Sequence, residues 1–261
     1  MKTIGFVDYY LSEWHANHYP KWMAKLSDEF KVAYGWAEID VSPVDGKTTD
    51  DWCETFGAQK CATLDELCEK SDYIVILAPS DPQVHLKYAE AVFPYGKPTY
   101  VDKTFAPDAE TAQKIFDLAA KYHTPFFSTS ALRFATELET VPAAKHVTLT
   151  GGGSNLPEYV IHLAEQAVLL LQSPVKNVKK SADGEKQIFT LTAENGRIVD
   201  LIYAPELPFT AAWDGEKVEL KSDFFGVLME KILAFFADGK QPFDAAQTME
   251  VMRVRDGVLR A

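Results

Sequence analysis

The chain has 261 residues, 47% of them apolar, which is enough to bury a core and long enough for that core to begin dividing in two. Its 38 acidic against 26 basic residues give a formal net charge of −12, a field that disfavours phosphate-rich polymers, so nucleic acid is not an expected partner. No apolar run approaches the roughly 20 residues of a bilayer crossing, the start has one basic residue and no signal-length apolar stretch, and Cys53, Cys61 and Cys68 are odd in number and lack metal-ligand spacing. The expectation is a cytoplasmic protein with idle thiols, no membrane partner and no metal.

From residue 3 to about 127, short β-rich runs alternate with helical stretches. The pattern predicts strands over 3–7, 31–36, 73–78, 98–101 and 125–128, and helices over 13–26, 63–70, 82–92 and 108–122. Such alternation predicts an α/β domain with a doubly wound parallel sheet. Thr63 and Glu66 have capping-box spacing, while Asp81 before Pro82 and Asp108 after Pro107 put acceptors where helices begin.

After Arg133 the pattern changes. Strands are expected over 145–150, 175–181, 187–192, 197–204 and 217–220, with helices over 156–172, 223–237 and 245–259. Asp183-Gly184 and Asn195-Gly196 suit tight hairpin turns, so the second region reads as a smaller α+β domain with an antiparallel sheet. The two domains are expected at 1–127 and 128–261.

Four segments share one resemblance. Tyr73 to His85, the run Gly96-Lys97-Pro98-Thr99-Tyr100-Val101-Asp102-Lys103-Thr104, the run Gly151-Gly152-Gly153 followed by Glu158 to His162, and the closing helices come in the order and spacing of one family. They resemble the glucose-fructose oxidoreductase and inositol dehydrogenase family, Gfo/Idh/MocA. Asp102-Lys103-Thr104 is similar to the end of that family's "GKHVxxEKP" segment, and Glu158 to His162 to its "DxGxH" helix.

The resemblance implies a Rossmann-like first domain and an oxidoreductase acting on a sugar or polyol. Oxidation of a hydroxyl needs a group to take its proton and a cation to hold the developing oxygen charge. By resemblance His162 is the general base, Lys103 the oxygen stabiliser, and Glu158 orients the imidazole or grips a hydroxyl. Glu158 and His162, four apart, share one helix face. Arg133, Tyr10 and Trp14 are expected on the substrate, and Asp8, Tyr10, Ser80 and His85 near a cofactor. His85 and Arg133 have structural readings beside these, as a helix-start packing residue and an ion-pair partner. His15 and His18 are spaced for a metal, but no further ligands accompany them.

The family carries G-x-G-x-x-G after its first strand, where glycines let the backbone touch a pyrophosphate. Here the stretch reads Asp8-Tyr9-Tyr10-Leu11-Ser12-Glu13-Trp14. A carboxylate about 5 Å from a phosphate charge costs roughly 3 kcal/mol at an effective dielectric of 20. Glu38 or Asp40 is the candidate for the acid that would hold an adenosine ribose. Three readings follow: an NAD- or NADP-dependent dehydrogenase; an enzyme without cofactor that uses the same Lys103 and His162 for elimination, epimerisation or bond cleavage, the altered loop blocking dinucleotide; and a non-catalytic sugar-binding protein. The partner in each is a small polyhydroxylated molecule, and a homodimer is the family-level expectation.

Overall fold

Ile4, Phe6 and Val7 are fully buried along the first strand, β1 (Lys2–Asp8), as a parallel strand covered on both faces requires. The computed structural model describes residues 1–261 and adds β2 (Phe30–Ala37), β3 (Gln59–Lys60), β4 (Tyr73–Ile76), β5 (Thr99–Val101) and β6 (Phe126–Ser128). All are parallel, in the order β3-β2-β1-β4-β5-β6. This is the expected Rossmann-like sheet. Its strand order reverses between β1 and β4, and open α/β sheets bind ligands outside the carboxyl ends of their strands at such a point.

The helices of this unit are α1 (Trp14–Leu26), α2 (Thr49–Phe56), α3 (Leu64–Lys70), α4 (His85–Val92) and α5 (Ala109–Tyr122). Pro20 stands inside α1 and has no N–H for the Ala16 carbonyl. That carbonyl accepts the Trp52 indole N–H at 3.2 Å instead, so the helix continues through the proline. Thr63 and Asp108 cap α3 and α5 as their spacing predicts. Asp81 makes no capping bond; a short 3-10 turn, Pro82–Val84, precedes α4, which begins three residues later than expected.

The chain forms two compact units, Met1–Ser128 with Met229–Phe243, and Thr129–Leu228 with Asp244–Ala261. The second contains β7 (His146–Gly151), α6 (Leu156–Leu171), β8 (Val175–Asp183), β9 (Lys186–Ala193), β10 (Ile198–Tyr203), β11 (Thr210–Trp213) and β12 (Glu216–Glu219). Helices α7 (Phe224–Asp238) and α8 (Ala245–Arg260) close the chain. The end of α7 belongs to the first unit, where Phe236 stacks on Tyr73 at 4.7 Å and Gln241 donates to the Phe126 carbonyl at 2.6 Å.

The second sheet has the order β12-β11-β7-β10-β9-β8 and is mixed, not wholly antiparallel. Tight turns make β8, β9 and β10 antiparallel neighbours, but β10 reaches β7 only after the α6 excursion, and that pair runs parallel. Buried Val147, Leu149, Phe189, Leu191, Val199 and Leu201 line one face of this sheet. No helix of the chain is long and apolar enough to cross a membrane.

Candidate active site

The loop after β1 is built around two carboxylates. Asp8, 1% exposed, bridges the ends of β1 and β4: its Oδ1 accepts from the Tyr9 amide at 2.7 Å and the Ala78 amide at 3.0 Å. Ala78 takes a left-handed φ of 61° to reach it. Asp8 Oδ2 has no hydrogen-bond partner, and burial, with Glu13 nearby, pushes this carboxyl well above the usual carboxylate range. Asp8 therefore holds its proton to higher pH than a surface aspartate.

Glu13 is the N-cap of α1. Its carboxylate accepts from the amides of Ala16 and His15, the latter at 2.9 Å, and lies 3.3 Å from His15 Nδ1. The first amides of a helix are where a phosphate binds; here the chain's own carboxylate takes them. Asp8, Tyr9, Tyr10 and Glu13 face Pro79 and Ser80 across a cavity of about 20 Å³, room for one water. Sequence reasoning expected Asp8, Tyr10 and Ser80 together near a cofactor, and they do converge. Their side chains leave little open volume over the start of α1, where glycines would let the backbone approach a phosphate. At the end of β2, Glu38 receives Lys87 at 2.6 Å and Tyr88 at 2.8 Å, and Asp40 pairs with Lys60 at 2.8 Å.

At the carboxyl end of β5, Asp102 is 1% exposed and its Oδ1 receives the hydroxyls of Tyr19 at 3.0 Å and Tyr100 at 2.9 Å. Its Oδ2 faces His15 Nε2 at 3.7 Å. The burial of Tyr19 beside this carboxylate pushes its hydroxyl well above the usual tyrosine range. Lys103 follows, 9% exposed, with no hydrogen bond or ion pair holding its ammonium. The peptide joining it to Thr104 is cis.

In the second unit the triple glycine leads into α6. A Cβ at Gly152 would collide with the Pro205 carbonyl, and one at Gly153, where φ is 149°, would fall inside the Tyr159 ring. Asn155 caps α6 through the Glu158 amide at 2.9 Å, and its side-chain amide donates to the Glu158 carboxylate at 3.1 Å. One turn on, His162 lies edge-on to Tyr159 and Phe209, and its Nδ1 is 2.6 Å from Ser130 Oγ.

Two expected ligand residues take the structural readings given beside them. Arg133 is 5% exposed and its guanidinium meets Glu165 at 3.0 Å and Gln247, the ion-pair reading. His85 is wholly buried with its ring nitrogens against the carbonyls of Phe105 at 3.0 Å and Leu77 at 2.5 Å, and burial lowers its pKa. It ties α4 to the strand ends, the packing reading. Trp14 is 48% exposed and stacks on His18 at 4.4 Å. His18 Nδ1 meets the Trp14 carbonyl at 2.6 Å, so the two histidines do not share a ligand site. The three cysteines are buried and free, the Cys53 and Cys68 thiols pushed by burial up to about 12.

Sequence reasoning missed Ser130, Glu165 and the Asp102 network. Glu165 had a signal: a carboxylate inside the apolar run of α6 requires a buried partner. Burial raises the Glu165 pKa, against the pull of Arg133.

The model of the Gfo/Idh/MocA oxidoreductase family, an NAD-binding Rossmann fold, matches residues 15–130, beginning just after the altered loop. Among solved structures, UDP-N-acetylglucosamine 3-dehydrogenase GnnA from Acidithiobacillus ferrooxidans is similar with a TM-score of 0.81 at 16% identity, over 99% of this chain and 97% of that one. A putative myo-inositol dehydrogenase from Sinorhizobium meliloti gives 0.78 at 13%, over 100% and 97%. Biliverdin reductase from Synechocystis, solved with biliverdin and NADP+, gives 0.72 at 14%, over 99% and 98%. No curated protein matches in sequence.

Proposed function

We propose that this chain, which matches the Gfo/Idh/MocA oxidoreductase family over residues 15–130 and shares its fold throughout, acts on a small carbonyl-bearing sugar by proton transfer, without a nicotinamide dinucleotide at the switch point. One observation supports this reading above the others: Glu13 caps the α1 amides and, with Asp8 and Tyr10, leaves a cavity of only about 20 Å³ beside the start of α1. The retained polar residues suit acid and base chemistry at a carbon beside a carbonyl. The resemblance assigns Lys103 to a substrate oxygen, where an ammonium holds the negative charge that develops on a carbonyl as the neighbouring carbon loses its proton; on α6 the Glu158 carboxylate takes that proton and the His162 ring hydrogen-bonds an oxygen. Return of the proton to another carbon gives an isomer; its delivery to a neighbouring hydroxyl, which leaves as water, gives an elimination product.

The dehydrogenase reading is favoured by the family match itself, and one pair of measurements decides between them. NADH and NADPH are titrated to millimolar concentration against tryptophan fluorescence, and a panel of aldoses, ketoses and polyols is followed by proton NMR in deuterium oxide. The expected result is no saturable cofactor binding, with solvent deuterium entering one sugar beside its carbonyl. Saturable NADH binding together with polyol-dependent nicotinamide reduction overturns the proposal.

A further inference from the structure

The hydrogen bonds around Ser130 decide which nitrogen of His162 carries the proton. Ser130 lies just past β6 and is 1% exposed. Its backbone N–H donates to Glu165 Oε1 at 3.1 Å, and Glu165 Oε2 is anchored by Arg133 at 3.0 Å. Glu165 and His162, three residues apart, project from neighbouring positions of α6. One helix therefore fixes the serine through its amide and meets its hydroxyl through the imidazole.

The hydroxyl has one proton and two lone pairs. A lone pair accepts the Leu132 amide at 3.3 Å, and the hydroxyl's other contact is His162 Nδ1 at 2.6 Å. Were Nδ1 the donor, the serine proton would be left inside the protein without an acceptor, which costs about 1–3 kcal/mol. With the serine donating, the hydroxyl and the Leu132 amide are satisfied, and the proton of the neutral ring sits on Nε2.

We propose that Ser130 is the positioning residue of His162, donating to Nδ1 and holding the imidazole as the Nε2–H tautomer, so that His162 meets its substrate as a hydrogen-bond donor to oxygen. This rests on the functional reading above and sharpens it. Nε2–H donates a hydrogen bond to a substrate oxygen and keeps its proton, because full transfer from a neutral imidazole would leave an imidazolate that the serine hydroxyl is too weak an acid to relieve. The family-based assignment of His162 as a general base becomes, in the resting protein, that of a hydrogen-bond donor.

The test reads the ring directly and needs no substrate. Long-range proton–nitrogen NMR of the ¹⁵N-histidine-labelled full chain, with His162 assigned by its loss in H162Q, is expected to show a bare, hydrogen-bonded Nδ1 and a protonated Nε2. In S130A the Nδ1 resonance shifts as its donor is lost, and in S130T, which keeps the hydroxyl, it returns. A protonated Nδ1 in the unaltered protein overturns the proposal whether or not S130A folds, and so does an Nδ1 resonance unmoved by S130A. Where a sugar that exchanges has been found, S130A lowers kcat about 10²-fold with KM little changed, and S130T restores it. An Nε2–H ring in a protein that turns over no sugar leaves this inference standing and removes the functional reading.

Discussion

Glu13 turns its carboxylate back onto the helix that it precedes, and Oε2 accepts the His15 amide at 2.9 Å. With the Ala16 amide on Oε1, the cap satisfies two of the four donors that a helix start leaves open, and puts a negative charge at the positive end of the dipole. E13A is therefore expected to destabilise the first unit by about 1 kcal/mol, and E13Q by less, since the amide oxygen still accepts. Urea unfolding followed by tryptophan fluorescence checks this; an E13A midpoint equal to that of the unaltered protein would mean that the amides find another acceptor.

Asp8 supplies a pH dependence of definite sign. Its folded-state pKa is raised by burial and by Glu13, while in the unfolded chain it titrates near 3.9. Between those two values the native state binds more protons, so this group's contribution is complete below about pH 4 and is lost as pH rises through the folded value. D8N keeps an oxygen for the Tyr9 and Ala78 amides and never ionises. Its stability relative to the unaltered protein is expected to grow as pH rises above about 4, until the folded value is passed. Parallel unfolding profiles would show that Asp8 is already ionised in the fold.

Arg133 and Glu165 form an ion pair with side chains 4% exposed. Removing one partner leaves a buried charge without its counterion, so R133M and E165M should each cost about 3–5 kcal/mol, and the double variant far less than their sum. A double-mutant cycle by urea unfolding measures this. Additive losses would instead mean that the two groups are solvated separately, and would return Arg133 to the candidates for substrate binding.

Periodicity and caps made most elements legible, and the reasons for the exceptions are physical. α2, with sequence TDDWCETF, is short and polar, so its apolar face is too sparse to read, although Thr48 and Asp51 form a capping box that marks its start. β11 has four residues, two of them alanine, and owes its strand form to pairing with β7 and β12. At the site, Glu158 and His162 are singled out by the resemblance to the family's "DxGxH" helix, and their spacing adds only that they share one helix face. The partners of Asp102, which are Tyr19 at 83 residues' separation and Tyr100 at two, follow only from tertiary packing. The absence of the glycines is plain in the sequence; that the Glu13 carboxylate takes the first amides of α1 follows only from the direction of its side chain.

Lys103 gives the last prediction. The residue is 9% exposed, so its stem is packed, while neither ion pair nor hydrogen bond holds the ammonium, which is left open to a ligand. K103M keeps the length of the stem and deletes the charge, so the fold should persist with unchanged circular dichroism. A cation that acts only on a developing oxygen charge affects kcat more than KM, and its loss is expected to lower the rate of sugar deuterium exchange by about 10²–10³-fold. K103R restores charge but not the compact ammonium and should recover only part of that loss. An exchange rate unchanged in K103M would remove Lys103 from the chemistry, leaving His162 to act without a cation on the oxygen.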